Sequence, residues 1–310
     1  MLSKTMSVVA MTAVAPILWG TTYLTATTLL IVGHPLLTAA VRALPAGILL
    51  LLIGRRLPRG SWWWKSAVLG ALNIGGFFAF LFIAADRLPG GVAAVVGGIQ
   101  PLLVAVLASR VLAEKLTGRV VAAGAAGVIG VALIVLRASG GLDAIGVAAA
   151  LLGAVSMATG VVLTKAWSHD HPPLVVTAWQ LVAGGLILAA LVAVFEPLPE
   201  QPPTLTNIAG YAYLTLIGTA LAYAVWFRGV AALPARVPAF LGLLSPVVAL
   251  AIGGLVAGET LTLTQVCGVA LVFASVAAVV EGEVRRRPRR SVVSAVPAGI
   301  DRGRVGNRDV

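Results

Sequence analysis

The chain contains ten runs of about twenty predominantly apolar residues. They cover residues 8–31, 36–53, 65–85, 91–112, 118–136, 144–166, 174–194, 206–228, 237–257 and 262–281. A helix of this length crosses the ~30 Å hydrocarbon core of a bilayer. Only helices and closed barrels satisfy every backbone hydrogen bond in that core, and continuously apolar runs favour helices. The sequence therefore predicts ten membrane-spanning helices, numbered spans 1 to 10 in chain order.

Composition supports this prediction. The chain is 59% hydrophobic and 11% charged, whereas soluble domains are roughly 45–50% apolar and about 25% charged. We therefore expect an all-α integral membrane protein.

The second half of the chain repeats the first. LPGGVAAVVGGIQPLL at 88–103 returns as LPARVPAFLGLLSPVV at 233–248, and HPLLTAAVRALPAG at 34–47 returns as HPPLVVTAWQLVAG at 171–184. The extra residues of the second half fall in the loop 196–205. A repeat of five spans ends on the opposite side from where it starts, so the two copies must be inverted, as in many transporters. We expect one transporter domain over residues 1–282, with repeats at about 7–137 and 143–282.

The basic residues predict the orientation. With the N-terminus inside, nineteen of the 22 Lys and Arg residues are cytoplasmic, Arg87 and Arg137 are outside, and Arg42 lies within span 2. This predicts a multi-pass protein of the cell (plasma or inner) membrane with both termini in the cytoplasm. The basic segment 283–310 has a composition that favours a disordered tail. Anionic lipid explains its charge better than nucleic acid does.

Known catalytic and nucleotide-binding motifs are absent from the sequence. It has no G-x-x-x-x-G-K-[ST] phosphate loop, no H-E-x-x-H and no G-x-S-x-G. We therefore expect no catalytic residues, no metal and no cofactor. The alternatives to a transporter are a non-transporting receptor or scaffold and an intramembrane enzyme. The sequence leaves the oligomeric state open.

Several motifs resemble those of a known family. W-G-T-T-Y at 19–23, the arginine of span 2, the prolines of spans 4 and 9, and E-K-L-T and E-T-L-T after those spans resemble the drug/metabolite transporter superfamily, in its EamA-type ten-helix branch. The segments WGTTYLTATTLL and RALPAGILLLL also resemble the blue-pigment (indigoidine) exporter subgroup. This resemblance implies efflux of amino acids or other metabolites through a cavity walled by spans 1–4 and 6–9.

Two prolines mark the candidate site. Pro101 and Pro246 occupy equivalent positions of the repeat within spans 4 and 9. Proline in a helix interior removes a hydrogen-bond donor and crowds the preceding turn, and matched interruptions in two repeats indicate a transporter's binding site. The neighbouring Gln100 and Ser245 supply polar groups. The alternative is a kink that serves packing alone.

Arg42 is the one ionised side chain well inside a predicted span. Its insertion costs about 2.5–3.5 kcal/mol at a helix centre. Either a wet cavity or an anionic substrate group compensates this cost, or the side chain snorkels to the surface.

Further substrate-binding candidates are polar or aromatic groups at apolar depth, each of which either contacts substrate or bonds a neighbouring helix. They are Trp19, Thr22, Tyr23, Asn73, Phe77, Ser156, Trp179, Gln180 and Tyr223. Together with the inverted duplication, they predict a secondary transporter that exports small metabolites, such as amino acids, related compounds or pigment-like molecules, by alternating access.

Overall fold

The computed structural model describes residues 2–88, 90–135, 143–257 and 262–286. Within these ranges the chain is helical and contains no strand. Ten helical segments there are long and apolar enough to cross a membrane: Lys4–Ala26, Pro35–Gly54, Trp62–Ala84, Ala94–Val111, Gly118–Val135, Ala144–Trp167, Pro173–Phe195, Leu205–Ala232, Arg236–Val256 and Leu263–Val284. The prediction of an all-α protein with ten spans is confirmed.

Several spans consist of more than one helix. The α-helices of the described residues are α1 Leu2–Gly20, α2 Thr22–Leu29, α3 Pro35–Gly54, α4 Trp62–Gly70, α5 Gly76–Arg87, α6 Gly90–Gly97, α7 Gln100–Val111, α8 Gly118–Val135, α9 Ala144–Trp167, α10 Pro173–Phe195, α11 Leu205–Thr215, α12 Ala222–Ala232, α13 Arg236–Leu241, α14 Leu244–Ala257 and α15 Leu263–Arg286. Two π-helical turns, π1 at Ala71–Gly75 and π2 at Leu216–Leu221, join α4 to α5 and α11 to α12.

The last helix is longer than predicted. Helix α15 continues to Arg286, so residues 283–286 of the expected tail are helical. Glu283 is 9% exposed and binds Arg236 at 2.8 Å, which holds this end of the helix against the bundle. Residues 287–310, the rest of the expected tail, lie outside the described residues.

Two pairs of spans pack with their backbones in close approach. A Cβ on Gly47 of span 2 would lie 2.6 Å from the backbone nitrogen of Val182 in span 7. A Cβ on Gly130 of span 5 would lie 2.8 Å from the carbonyl oxygen of Gly268 in span 10. Small residues at helix contacts permit this approach, which drives association in lipid through van der Waals packing.

Spans 4 and 9 are broken at nearly equivalent positions. Span 4 is interrupted at Gly98 and Ile99, between α6 and α7, and span 9 at Gly242 and Leu243, between α13 and α14. Pro101 therefore lies in the first turn of a new helix, where its missing N–H leaves no hydrogen bond unmade. The prolines start the second helix of each span rather than kink a continuous one.

The two π-turns also occupy equivalent positions. The alignment of the two repeats that matches Pro101 with Pro246 also matches Ala71 with Leu216. These two residues are the first residues of π1 and π2. A π-turn inserts one residue into a helix and shifts its hydrogen-bond ladder, and such turns are frequent at functional sites. The halves differ in their first spans, because span 1 is interrupted at Thr21, between α1 and α2, whereas span 6 is the continuous helix α9.

Candidate functional site

Arg42 reaches from span 2 to the π-turn of span 8. The residue is 6% exposed. Its Nε donates to Thr219 Oγ1 at 2.9 Å, and its Nη2 donates to the carbonyl oxygen of Gly218 at 2.9 Å. Both acceptors belong to π2. The guanidinium is therefore bonded inside the bundle.

The charge of Arg42 has no carboxylate partner in the described residues. The ion pairs seen there join other residues. The Phe78 ring centroid lies 5.3 Å from Arg42 Cζ, within cation–π range. Because an unneutralised charge in a low-dielectric bundle is costly, this guanidinium is suited to bind an anionic group.

An aromatic cluster stands beside Arg42. The ring of Trp19, at the end of α1, lies 5.3 Å from Tyr223 and 5.0 Å from Trp226, both on α12. The Nε1 atoms of Trp19 and Trp226 and the Oγ1 atom of Thr22 are buried without a hydrogen-bond partner in the described residues. Buried polar groups are normally paired, so these three donors indicate a site for acceptor groups.

The cluster extends to the break in span 9. Trp226 Cη2 lies 3.8 Å from the position that a Cβ on Gly242 would take, and a Cβ on Gly20 would lie 2.9 Å from the Ser245 carbonyl oxygen. Ser245 and the adjacent Pro246 are half-buried at the start of α14. The irregular turns of spans 1, 8 and 9 therefore meet near Trp19 and Trp226.

A second polar cluster surrounds π1. Asn73 Nδ2 donates to Gln180 Oε1 at 2.8 Å and to Thr164 Oγ1 at 3.1 Å, which links spans 3, 7 and 6. Ser156 Oγ donates to the Leu72 carbonyl oxygen at 2.8 Å. Asn73 Oδ1 and Gln180 Nε2 remain buried without a partner in the described residues.

Of the other predicted site residues, Trp179 lies apart from Arg42, whereas Phe77 contacts Phe78, the ring beside Arg42. Trp179 donates from Nε1 to the Arg56 carbonyl oxygen at 2.7 Å, and its ring lies 5.3 Å from that of Trp62, so it belongs to a separate cluster at the end of span 2. Phe77 is half-buried and its ring lies 5.4 Å from that of Phe78. The side chain of Tyr23 is not among those that the structure describes.

Gln100 and Pro101 stand at the break of span 4. Gln100 is half-buried and Pro101 is buried. Next to them an apolar cavity of about 250 Å³ lies between α7 and α9, bounded by Ile99 and Thr159 among others. Arg42 is not among the residues that line this cavity, so the two predicted proline sites differ in their surroundings.

No group of three potential metal ligands is found in the described part of the chain. The three unpaired groups and the guanidinium are all hydrogen-bond donors, and none of them is a nucleophile paired with a base in the described residues. Sequence reasoning missed Gly218 and Thr219 of this site. Comparison of the repeats could have found Gly218, because it stands in the second repeat where Asn73 stands in the first.

Comparisons with known proteins agree with this architecture. Protein PecM of Dickeya dadantii (strain 3937) is 45% identical over 263 residues, which cover 84% of this chain and 88% of the relative. A protein of Salmonella typhimurium named "Probable amino-acid metabolite efflux pump" is 30% identical over 228 residues, which cover 70% of this chain and 76% of the relative. A solved structure described as "Crystal structure of protein" superposes with a TM-score of 0.79 at 21% identity, covers 91% of this chain and 99% of its own, and so shares the fold.

The family model described as EamA-like transporter family matches the chain twice, at residues 6–136 and 144–280. The boundaries of these matches fall close to those of the two predicted repeats. Since the matches span most of the sequence and the relatives are similar over most of their lengths, this multi-pass membrane protein is a member of the EamA-like transporter family.

Proposed function

We propose that this protein is a secondary transporter that exports small metabolites from the cell by alternating access. The observation that carries the proposal is the buried cluster of donors around Arg42, which lies where spans 1, 2 and 8 meet. Interrupted helices at such a meeting point are typical of the binding sites of secondary transporters.

The matched irregularities of the two halves support alternating access. The break in span 4 has its counterpart in span 9, and the π-turn in span 3 has its counterpart in span 8. Equivalent weak points in two repeats provide equivalent hinges, so that one half opens while the other closes around a fixed site.

Amino acids and related compounds are the substrates that the comparisons favour. The Salmonella relative carries "amino-acid metabolite efflux pump" in its name. The resemblance to blue-pigment exporters adds planar, pigment-like compounds, which would find an aromatic surface at Trp19, Tyr223 and Trp226. Both classes carry carbonyl or carboxylate acceptors.

Metabolite profiling of the growth medium tests the proposal. Cells that express the wild-type chain should release an acidic or zwitterionic compound that non-expressing cells retain. Arg42→Ala should reduce this release by about 10–100-fold, because a hydrogen bond to a charged group contributes roughly 1.5–3 kcal/mol. Arg42→Lys should restore only part of it, because an ammonium lacks the planar fork of guanidinium.

The matched control is Arg119→Ala, which removes an equal charge from an exposed pair with Glu281. It should release the compound at the wild-type rate, and size-exclusion profiles should show all variants folded. Identical media from expressing and non-expressing cells would contradict export. Full release by a folded Arg42→Ala variant would show that Arg42 does not take part in substrate binding.

A further inference from the structure

Asn73 and Gly218 occupy the same place in the two halves. Each is the third residue of its π-turn. The register of the repeat that pairs Pro101 with Pro246 also pairs Asn73 with Gly218. The first half therefore carries a carboxamide where the second half carries no side chain.

In the first half this place is filled. The Asn73 carboxamide donates to Gln180 of span 7 and to Thr164 of span 6. Its packing is tight, because a Cβ on Gly160 would overlap the carboxamide atoms. Asn73 is fully buried. The side chain of Asn73 thus joins spans 3, 6 and 7 through its own polar atoms.

In the second half the same place is lined by donors. A Cβ on Gly218 would lie 3.5 Å from Leu214 Cδ2, 3.7 Å from Arg42 Nη2 and 3.9 Å from Thr22 Oγ1, all ordinary van der Waals distances. Arg42 belongs to span 2 and Thr22 to span 1, the counterparts of spans 7 and 6. The Thr22 hydroxyl is buried without a partner in the described residues, and so is Trp19 Nε1.

We infer that the carboxylate of the substrate binds beside Gly218, at the place that the Asn73 carboxamide occupies in the other half. Its oxygens accept from Arg42 and Thr22, and the remainder of the molecule lies against the rings of Trp19 and Tyr223. This inference rests on the proposed function and specifies its substrate class, which is a small organic carboxylate with an apolar or aromatic body.

Charge selects the carboxylate over a neutral carbonyl. The described residues give Arg42 two neutral acceptors, the Gly218 carbonyl and the Thr219 hydroxyl, and no anion. A charge-assisted bond to guanidinium is about twice as strong as a bond between neutral groups. Glycine at 218 then serves to leave room for a ligand group that a side chain at this position would displace.

Thermal unfolding of the purified full-length protein with benzoate as the probe tests this inference. Benzoate should raise the unfolding midpoint of the wild-type protein in a saturable manner, because a ligand that binds the folded state stabilises it. Benzamide, which is neutral, should give a smaller shift. Benzylamine, which is cationic, and sodium chloride at equal ionic strength should give none.

Gly218→Asn places a tethered carboxamide in the site. It should abolish the benzoate shift and keep a midpoint close to that of the wild type, because the carboxamide accepts from Arg42 and Thr22. Gly218→Leu should also abolish the shift, but with a lower midpoint, because its apolar side chain covers Thr22 and Arg42 and offers them no acceptor. The control Gly253→Ala, where a Cβ meets no atom within 4 Å, should keep the full benzoate shift.

An undiminished benzoate shift in Gly218→Asn would overturn the site, and equal shifts with benzoate and benzamide would overturn the carboxylate class. Absence of any benzoate shift in the wild type would also overturn the inference. Failure of the proposed function looks different. If the benzoate shift depends on Gly218 but cells release no metabolite, the binding site is supported and the proposed export is contradicted. If Gly218→Asn releases the metabolite at the wild-type rate, export is supported and the proposed site is contradicted.

Discussion

At the scale of single residues, polar side chains inside this bundle bond across helices. Asn73 and Gln180 illustrate this, because both are fully buried and the Asn73 amide donates to the Gln180 side-chain oxygen. Asn73→Ala and Gln180→Ala should each lower the free energy of unfolding by about 0.5–2 kcal/mol. The double variant should lose clearly less than the sum of the two losses, since each single change already removes the shared bond.

Thermal or denaturant unfolding in detergent measures this coupling. Ser109→Ala offers the control, because Ser109 bonds the nearby Val106 carbonyl oxygen on an exposed part of α7. Its loss should add to that of Asn73→Ala without coupling. Simple additivity of Asn73→Ala and Gln180→Ala would show that the hydrogen bond contributes nothing to stability.

The sequence predicts, in physical terms, which side chains come together in part of the candidate site. Polar and aromatic residues at apolar depth, such as Trp19, Thr22, Arg42 and Tyr223, converge because burying them against lipid alone is unfavourable. The same reasoning cannot distinguish Trp179, whose indole N–H bonds a backbone carbonyl near Arg56. It also cannot find Gly218, which has no polar side chain. Only the comparison of the two repeats, which pairs Gly218 with Asn73, points to this position.

At the scale of elements, the breaks are more predictable than the π-turns. Pro101 and Pro246 locate the breaks of spans 4 and 9 closely, because both repeats carry a proline there and proline has no N–H to donate. A single proline is not enough, since Pro45 lies inside the continuous helix α3. A π-turn inserts one residue into a helix and requires no particular residue type. An apolar run such as 65–85 therefore gives no sign of it. Its position is set by tertiary bonds, such as those from Arg42 to Gly218 and Thr219.

The short helix α13 is held by a cluster of ion pairs. Arg236 binds Glu114 at 3.1 Å and Glu283 at 2.8 Å, and the backbone nitrogen of Ala235 donates to the same Glu114. The cluster therefore ties the first helix of span 9 to the ends of spans 4 and 10. The side chains are only 10–13% exposed, so removing the cation leaves two poorly solvated carboxylates.

Arg236→Gln should therefore lower the free energy of unfolding by about 3 kcal/mol. Arg119→Gln is the matched control, because its pair with Glu281 at 3.9 Å is more than half exposed and should contribute at most about 1 kcal/mol. Circular dichroism during heating in detergent compares the two variants. Equal losses would show that burial of the Arg236 cluster does not strengthen it.

At the scale of the whole molecule, the ten spans follow from hydropathy because the bilayer requires each crossing to be an apolar helical segment. Hydropathy does not predict which spans contact each other, because lipid tails are as apolar as leucine side chains. The pairing of spans therefore depends on how well their surfaces pack together. Close approaches such as that of Gly130 to Gly268 decide which spans are neighbours. The two family matches, at 6–136 and 144–280, agree with a duplication, while the inversion of the halves stays a prediction.

Orientation in the membrane provides the test of that inversion, because it depends on an odd number of spans in each repeat. The chain has one cysteine, Cys267, so a Cys267→Ala background permits single-cysteine labelling. Leu198→Cys lies in the segment between spans 7 and 8, where Leu198 is 70% exposed. Ser61→Cys lies in the exposed segment between spans 2 and 3.

The distribution of basic residues predicts that these two segments lie on opposite sides of the membrane. A membrane-impermeant maleimide applied to intact cells should label Leu198→Cys at once and Ser61→Cys only after permeabilisation. Labelling of Ser61→Cys alone in intact cells would reverse the orientation. Labelling of both would mean that the two loops, although five spans apart, share a face, and a repeat with an odd number of crossings does not allow that. The inverted relation of the two halves would then fail, and with it the equivalence in depth of Asn73 and Gly218.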